Sequence, residues 1–371
     1  MKICVAGGGP GGLYFAICVK RKLPHAEVTL FERNAPNVTY GWGVVFSGRT
    51  QETLALVDEA SAERMADEFV HWDTIETILE TDSLSTSGYP FYGIDRRKLL
   101  NILTDRCLEL GVEIHHDQEL APDDPAIRFY DLVVAADGVN SRFRSHLAEE
   151  LGAREKFGSN KYIWLGTKAV FDRFRFVFKQ SGSEWLWAHA YPFDRSTSTF
   201  IVECSKSAWE RCGYRDFDSG PGCRRLASLF EDILEGQELL FNGVRMRGSH
   251  WDQFRQVECA RWNSGNIVLI GDAAHTIHFS VGSGTKQAFD DAICLANAVS
   301  SNDDLQGALR YYQRRRQQEL ATLKAKGSCS MRWFEDAAGY ADNLGVGDFE
   351  RALLNRATNS DYEDEAVAAG R

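Results

Sequence analysis

The first twelve residues constrain this chain more than any other stretch: a short apolar run, Met1 to Ala6, meets a glycine cluster spaced Gly7-x-Gly9-x-x-Gly12. That order predicts a strand, a tight turn and a helix. Gly7 allows the turn, Gly9 lets a pyrophosphate approach the backbone, and Gly12 lets the helix pack closely on the strand with its free N–H groups facing phosphate. The helix, from about Leu13, stops before Pro24, and Ala26 to Phe31 reads as a second strand closed by Glu32. A carboxylate about 20 residues beyond the glycines is where this unit holds ribose hydroxyls. The spacing therefore predicts a dinucleotide site.

With 371 residues the chain exceeds the usual single core, so one large domain or two interlocked ones are expected. Nine Trp and 22 Phe point to a cavity for a flat apolar ligand. A net charge of −11 argues against nucleic acid and anionic membranes as partners, because both need a basic face. The nine cysteines show no C-x-x-C pair or zinc-like spacing, so reduced thiols and no metal are expected. The first strand begins at Met1, and no apolar run reaches membrane-spanning length. A cytoplasmic monomer or homodimer is the expectation.

Further along, Tyr40 to Arg49 mixes glycines with aromatic and branched residues and reads as a shaped loop beside a ligand. Ser61 to Phe69 looks helical, and the segment from His71 alternates like a strand. Phe91 to Arg96 leads into a helix carrying Leu99, Leu103 and Cys107, which Gly111 stops. Tyr130 to Ala136 is a buried strand running into Asp137-Gly138, at the strand end where ligands of open α/β sheets collect. Residues 161–202 contain four strand candidates with short turns, an antiparallel sheet suited to wall a substrate pocket. A last strand, Gly265 to Ile270, leads to Gly271-Asp272, and Gly282 and Gly284 precede a helix N-terminus able to stabilise an electron-rich ring edge. From Asp303 the chain reads as a charged, solvated helix, with a phosphate-contacting patch at Arg310 to Lys326 as the sharper reading, and the tail from Asn359 as disordered.

Three signals now stand in order: Gly7, Gly9 and Gly12 with Glu32; Asp137-Gly138 with Ser141 and Arg144; and Gly271-Asp272. Together they resemble the group A flavoprotein aromatic hydroxylases of the p-hydroxybenzoate hydroxylase fold, over roughly residues 1 to 320. Arg96 with Leu99 and Leu103 matches that family's Arg-led helix beside the flavin. The stretches His71-Trp-Asp73, Ala188 to Tyr191, Ser198 to Glu203 and His278 to Lys286 are similar to the hydroxylases of salicylyl-CoA and 2-aminobenzoyl-CoA, and to the pigment hydroxylases of violacein synthesis. Phe279 departs from the family, which usually has proline there.

The resemblance implies an α/β fold: a discontinuous Rossmann-like FAD-binding domain (1–70, 91–158 and 255–302), an inserted antiparallel β-sheet substrate domain (71–90 and 159–254), and C-terminal helices with a tail (303–371). It implies non-covalent FAD, with Gly7, Gly9, Gly12 and Glu32 on its ADP half, Asp137 near the diphosphate, Asp272 on the ribityl chain, and Arg96, Gly282 and Gly284 beside the flavin. NADH or NADPH would reduce the flavin, and O2 would then give the C4a-hydroperoxide that transfers oxygen to an activated ring. The implied reaction is 5-hydroxylation of salicylyl-CoA or 2-aminobenzoyl-CoA, with a free aromatic acid or a tryptophan-derived indole as the alternative. His71, His189, Tyr191 and His278 stand in or beside pocket-forming segments and are candidates for acid/base or ring-positioning work. Arg49, Arg97 and Lys98, or the Arg310 to Lys326 stretch, are candidates for the carrier's phosphates. An NAD-dependent dehydrogenase would share only the first motif; an FAD-binding protein without turnover would share all three.

Overall fold

The computed structural model describes residues 1–215, 219–242 and 250–357; the tail from Asn359 lies outside them. Two sheets organise the chain. The first contains β1 (Lys2–Ala6), β2 (Glu27–Phe31), β6 (Glu113–His115), β7 (Leu132–Ala135), β15 (Asn263–Ser264) and β16 (Ile267–Leu269), in the order β15-β16-β7-β1-β2-β6. All its pairings are parallel except the β15–β16 edge. Central strands of such a sheet are covered on both faces and so are apolar throughout, as Ile3 to Ala6 and Leu132 to Ala135 are.

Helix Pro10–Lys22 starts with proline in its first turn and ends on Lys20, Arg21 and Lys22, which suits the helix dipole. It lies against helix Gly284–Ser300 with almost nothing between them, since a Cβ on Gly11 would sit 3.2 Å from the Ala288 Cβ.

The second sheet holds β3 (Gly43–Ser47), β4 (Val70–Leu79), β5 (Asp82–Asp95), β9 (Lys161–Thr167), β10 (Phe174–Ser181), β11 (Glu184–Pro192), β12 (Ser198–Cys204) and β13 (Leu239–Leu240), ordered β13-β9-β12-β11-β10-β4-β5-β3. Only β4 and β10 pair in parallel. The two-residue period sorts its side chains. Leu165, Ala188, Phe200 and Val202 face one way and form a core with Trp209, Leu226 and Phe230. Phe176, Phe178 and Trp187 face the other way, where helices Leu305–Glu335 and Val346–Leu354 bring Trp333, Phe334 and Phe349. A ribbon of β8 (Ala153–Phe157) and β14 (Arg255–Cys259) stands apart from both sheets.

Two expectations need correction. The Tyr40 to Arg49 stretch is not a loop: it contains β3 and the start of helix Gly48–Val57, because Val44 and Phe46 alternate inward with Val45 and Ser47. Phe91–Asp95, which leads into the expected helix at Arg96, is the end of β5 and pairs with β3 in the large sheet. Two glycines let this pair pass under a corner; a Cβ on Gly93 would meet the Pro192 carbonyl oxygen at 2.4 Å and one on Gly43 the Phe193 Cβ at 2.3 Å. Finally, the charged helix Leu305–Glu335 is not solvated all round, because Arg316 is buried in ion pairs with Asp291 and Glu319. Among the described residues no helix is long and apolar enough to cross a membrane, and no group of three His, Cys, Asp or Glu is placed to hold a metal.

Candidate active site

The glycine turn shows the division of labour expected of its spacing. Gly7 has φ of 114°, and a Cβ there would lie 2.3 Å from the Ala136 carbonyl oxygen; one on Gly12 would lie 2.1 Å from the Gly7 oxygen. These two positions are filled by backbone. Gly9 differs: nothing lies within 4 Å of its absent Cβ, and its φ of −74° is open to any residue, so the space beside it is left for something other than protein. No side chain caps the N-terminus of helix Pro10–Lys22, whose first N–H groups therefore face that space. Glu32 closes the turn: its Oε2 accepts from the Gly8 N–H at 2.7 Å, and its Oε1 from the Asn34 N–H at 2.8 Å.

The two other strand-end carboxylates differ in their surroundings. Asp137 Oδ2 accepts from the Arg142 and Phe143 N–H groups at 2.7 and 3.3 Å, so it shapes the turn after β7; burial holds its carboxyl above the usual range. Asp272 is exposed, yet protein crowds it enough that burial raises its carboxyl, against the pull of His275 and Arg96. Arg96 is its counterpart: burial lowers it and Asp272 raises it, and its Nε donates to Thr39 Oγ1 at 3.1 Å. Asp272 is thus exposed and Arg96 half-buried, and each feels the other's charge.

Helix Gly284–Ser300 begins there with no capping side chain, the Ser283 hydroxyl has no partner, and a Cβ on Gly282 or Gly284 would meet nothing within 4 Å. The residues thus fit a dinucleotide running from one uncapped helix start to another.

Two buried groups hold this frame: Arg144, already part of the second motif, and Asp291, which sequence reading missed. Arg144 bonds Glu155 and the carbonyls of Val139 and Ala273, tying the Asp137 loop to the Asp272 loop. Asp291 accepts from the Gly271 N–H at 2.8 Å, from His275 Nε2 at 2.8 Å and from Arg316 Nε at 2.7 Å. Burial works to raise Asp291, but His275 and Arg316 outweigh it and hold the carboxyl low. The signal for Asp291 was an acidic residue on the apolar side of a helix.

His189 and His278 come together; His71 and Tyr191 do not join them. His71 is exposed on β4 beside Tyr92, and Tyr191 donates its O–H to the Gly43 carbonyl at 3.3 Å. His189, Glu203 and His278 are each at least 97% covered, within a cage that includes Tyr162, Phe176, Trp187, Phe279 and Phe334. Glu203 accepts from Trp187 Nε1 at 3.0 Å and Asn160 Nδ2 at 2.9 Å, and faces His189 Nε2 at 3.2 Å. Burial would raise Glu203, but His189 and His278 pull it below the usual range; burial lowers His189 against the effect of Glu203. The pair is a carboxylate with a neutral imidazole. Because a carboxylate only accepts, His189 carries its proton on Nε2, and its Nδ1 is an acceptor.

His278 is pushed down to about 4 by burial, and its Nδ1 accepts from the Ser280 N–H, so its Nε2 carries the proton. A neutral acceptor and a neutral donor therefore flank Phe279. Arg356, held down to about 10 by burial, lies over Phe176 and Phe334 and supplies the cation near Glu203. Sequence reading overlooked Glu203, although its phase with Thr199 and Ile201 places it on this face. The carrier-phosphate candidates are mostly engaged: Arg97 with Asp95, Lys98 with Glu68, Arg315 with Glu319. The Arg49 side chain lies outside the described residues.

A family model described as FAD binding domain matches residues 130–319. The chain is 38% identical over 350 residues to a salicyloyl-CoA 5-hydroxylase of a Streptomyces sp, covering 92% of this chain and 66% of that protein. It is 35% identical over 334 residues to the 3-hydroxy-4-methyl-anthranilyl-(aryl-carrier protein) 5-monooxygenase of Streptosporangium sibiricum, covering 90% and 89%. Its fold is shared with 2-methyl-3-hydroxypyridine-5-carboxylic acid oxygenase, at a TM-score of 0.71 and 19% identity over 96% of both chains.

Proposed function

Because the chain belongs to the FAD-dependent aromatic monooxygenases, we propose that it hydroxylates the ring of an ortho-hydroxy- or ortho-aminobenzoyl thioester with NAD(P)H and O2. The observation that carries this reading is the aromatic cage around His189, Glu203 and His278, joined through Phe279 to the Gly282–Gly284 turn where the cofactor cradle ends. Two relatives that act on a benzoyl group joined to CoA or to a carrier protein support the thioester. Both are named for reaction at position 5.

Bound FAD supplies the redox chemistry that activates O2 and delivers one oxygen atom. In this reading Gly9 and the uncapped helix start at Pro10 bind the diphosphate, Glu32 accepts from a ribose hydroxyl, and Arg96 and Asp272 hold the chain leading to the flavin ring. Asp137 fixes the turn beside the diphosphate. The N–H groups at Gly284 stabilise negative charge on the flavin ring.

The cage excludes water and holds the aromatic ring. His189 Nδ1 accepts a hydrogen bond from the ring's donor group and takes its proton where that group is a hydroxyl, and Glu203 keeps that nitrogen free by holding the proton on Nε2. A hydroxyl that loses its proton, or an amino group through its lone pair, raises electron density para to itself, which directs oxygen to position 5. His278 Nε2–H donates to the substrate. The nine free thiols suit a cytoplasmic site of action.

The test compares NAD(P)H oxidation and hydroxylated product for salicyloyl-CoA, 2-aminobenzoyl-CoA, the free acids and tryptophan-derived indoles. Coupled 5-hydroxylation of a thioester is the expected result. Coupled turnover of a free acid or an indole, with the thioesters inert, sinks the thioester reading.

A further inference from the structure

On a protein with a net charge of −11, four cations gather around one groove and the slot beside it. One wall is the β8–β14 ribbon. Its two-residue period sends Glu155 and Val257 to one side, where Glu155 pairs with Arg144 and Val257 enters the core, and sends Arg154, Lys156, Gln256 and Glu258 to the other. The second wall is helix Leu305–Glu335, which presents Ser328, Met331 and Arg332 on one face, at the three- and four-residue spacing of helix neighbours, with Lys324 one turn earlier.

The groove between these walls encloses about 280 Å³. It adjoins a narrower slot that shares Gln256, Glu258 and Ser328 with it and runs past Lys324 to Thr276, Ile277 and His278. Among the described residues, Arg154, Lys156, Lys324 and Arg332 are in no ion pair, while most of the other described arginines have a carboxylate within 4.0 Å. Burial lowers the Lys324 ammonium, and Glu258 is the one carboxylate in the walls and pulls it back up.

We propose that this groove is a binding site for the phosphate groups of a nucleotide-bearing cosubstrate. Cations in no ion pair, set in two converging walls, match several phosphate oxygens at once. The volume is close to the lower bound of small-molecule sites, about 300 Å³, whereas a protein partner would need a far larger face. Two molecules of the reaction carry such phosphates: the CoA of an aryl thioester and the nicotinamide nucleotide. The first source rests on the thioester reading above; the phosphate site itself does not.

The experiment uses the FAD-loaded protein and the variants R154E/K156E and R332E, with R154Q/K156Q in reserve should charge reversal disturb folding. Flavin content and melting temperature are checked for each. Adenosine 3′,5′-bisphosphate and NADPH serve as direct binding probes, and KM is measured for salicyloyl-CoA and for NADPH. We expect the dissociation constant of one probe to rise about tenfold or more, as for loss of a charged hydrogen bond, with native binding weakening as salt is added. A rise confined to the bisphosphate and the thioester KM assigns the groove to CoA; a rise confined to NADPH assigns it to the nicotinamide nucleotide. Should both probes and both KM values stay within about twofold of the native protein in variants that keep their flavin, the groove is not a phosphate site, since one such bond is worth more than that. Inert thioesters together with weakened NADPH binding would instead retire the thioester reading and leave the site standing.

Discussion

At the scale of single residues, the buried trio of His189, Glu203 and His278 should govern how the protein responds to acid. His278 titrates at about 4 in the folded chain and near 6.5 when unfolded. Between those values the unfolded chain binds more protons, so stability is fully present above about 6.5 and is lost as pH falls toward 4. The lowered His189 acts in the same direction, and so does Glu203, whose contribution disappears as pH falls through its depressed folded value. For His278 alone the loss is on the order of 3 kcal/mol by pH 4. Urea unfolding measured from pH 7 down to pH 4 should show this decline, and His278→Asn should flatten it; a native profile already flat would refute the assignment. Glu203→Gln is expected to lower hydroxylation about a hundredfold and alter its pH profile while leaving FAD content intact, because the amide no longer dictates which nitrogen of His189 is protonated. Normal hydroxylation with an unchanged profile would make Glu203 a purely structural acid.

Among the elements, the first turn separates packing from ligand approach. Gly12→Ala places a methyl 2.1 Å from the Gly7 carbonyl oxygen, where only backbone can yield. That variant should lose on the order of 1–3 kcal/mol of stability and its FAD together. Gly9→Ala meets nothing within 4 Å and keeps an ordinary φ, so the melting temperature of the FAD-free protein should not change while FAD affinity falls. Retention of full FAD affinity in Gly9→Ala would show that the diphosphate does not pass there. The same comparison separates the glycines of the first turn from Gly43, which was read as part of a loop beside a ligand and lies under another strand's corner. Glycine marks close approach, and whether a ligand or another strand makes the approach is not written locally.

For the whole molecule, the cradle joins residues from Gly7 to Gly284 across the first sheet, so FAD should stabilise the core that unfolds with it. At a hundredfold excess over its dissociation constant FAD adds about 2.7 kcal/mol, seen as a rise in melting temperature of a few degrees. Asp272→Ala should abolish most of that rise; an undiminished rise would reassign Asp272 to the loop alone. The sequence by itself determined the parts that short-range chemistry encodes. Strand, glycine turn and helix follow one another within a dozen residues, carboxylates end apolar strands, and the three motifs stand in a fixed order. Tertiary structure decided which candidates meet. His189 and His278 converge while His71 faces solvent, Glu203 becomes the acid that sets a tautomer, and Arg316 turns from a surface charge into the partner of Asp291. Those outcomes depend on burial and on contacts between distant parts of the chain. Periodicity reports which face a side chain takes, but only the packed fold determines what lies opposite that face.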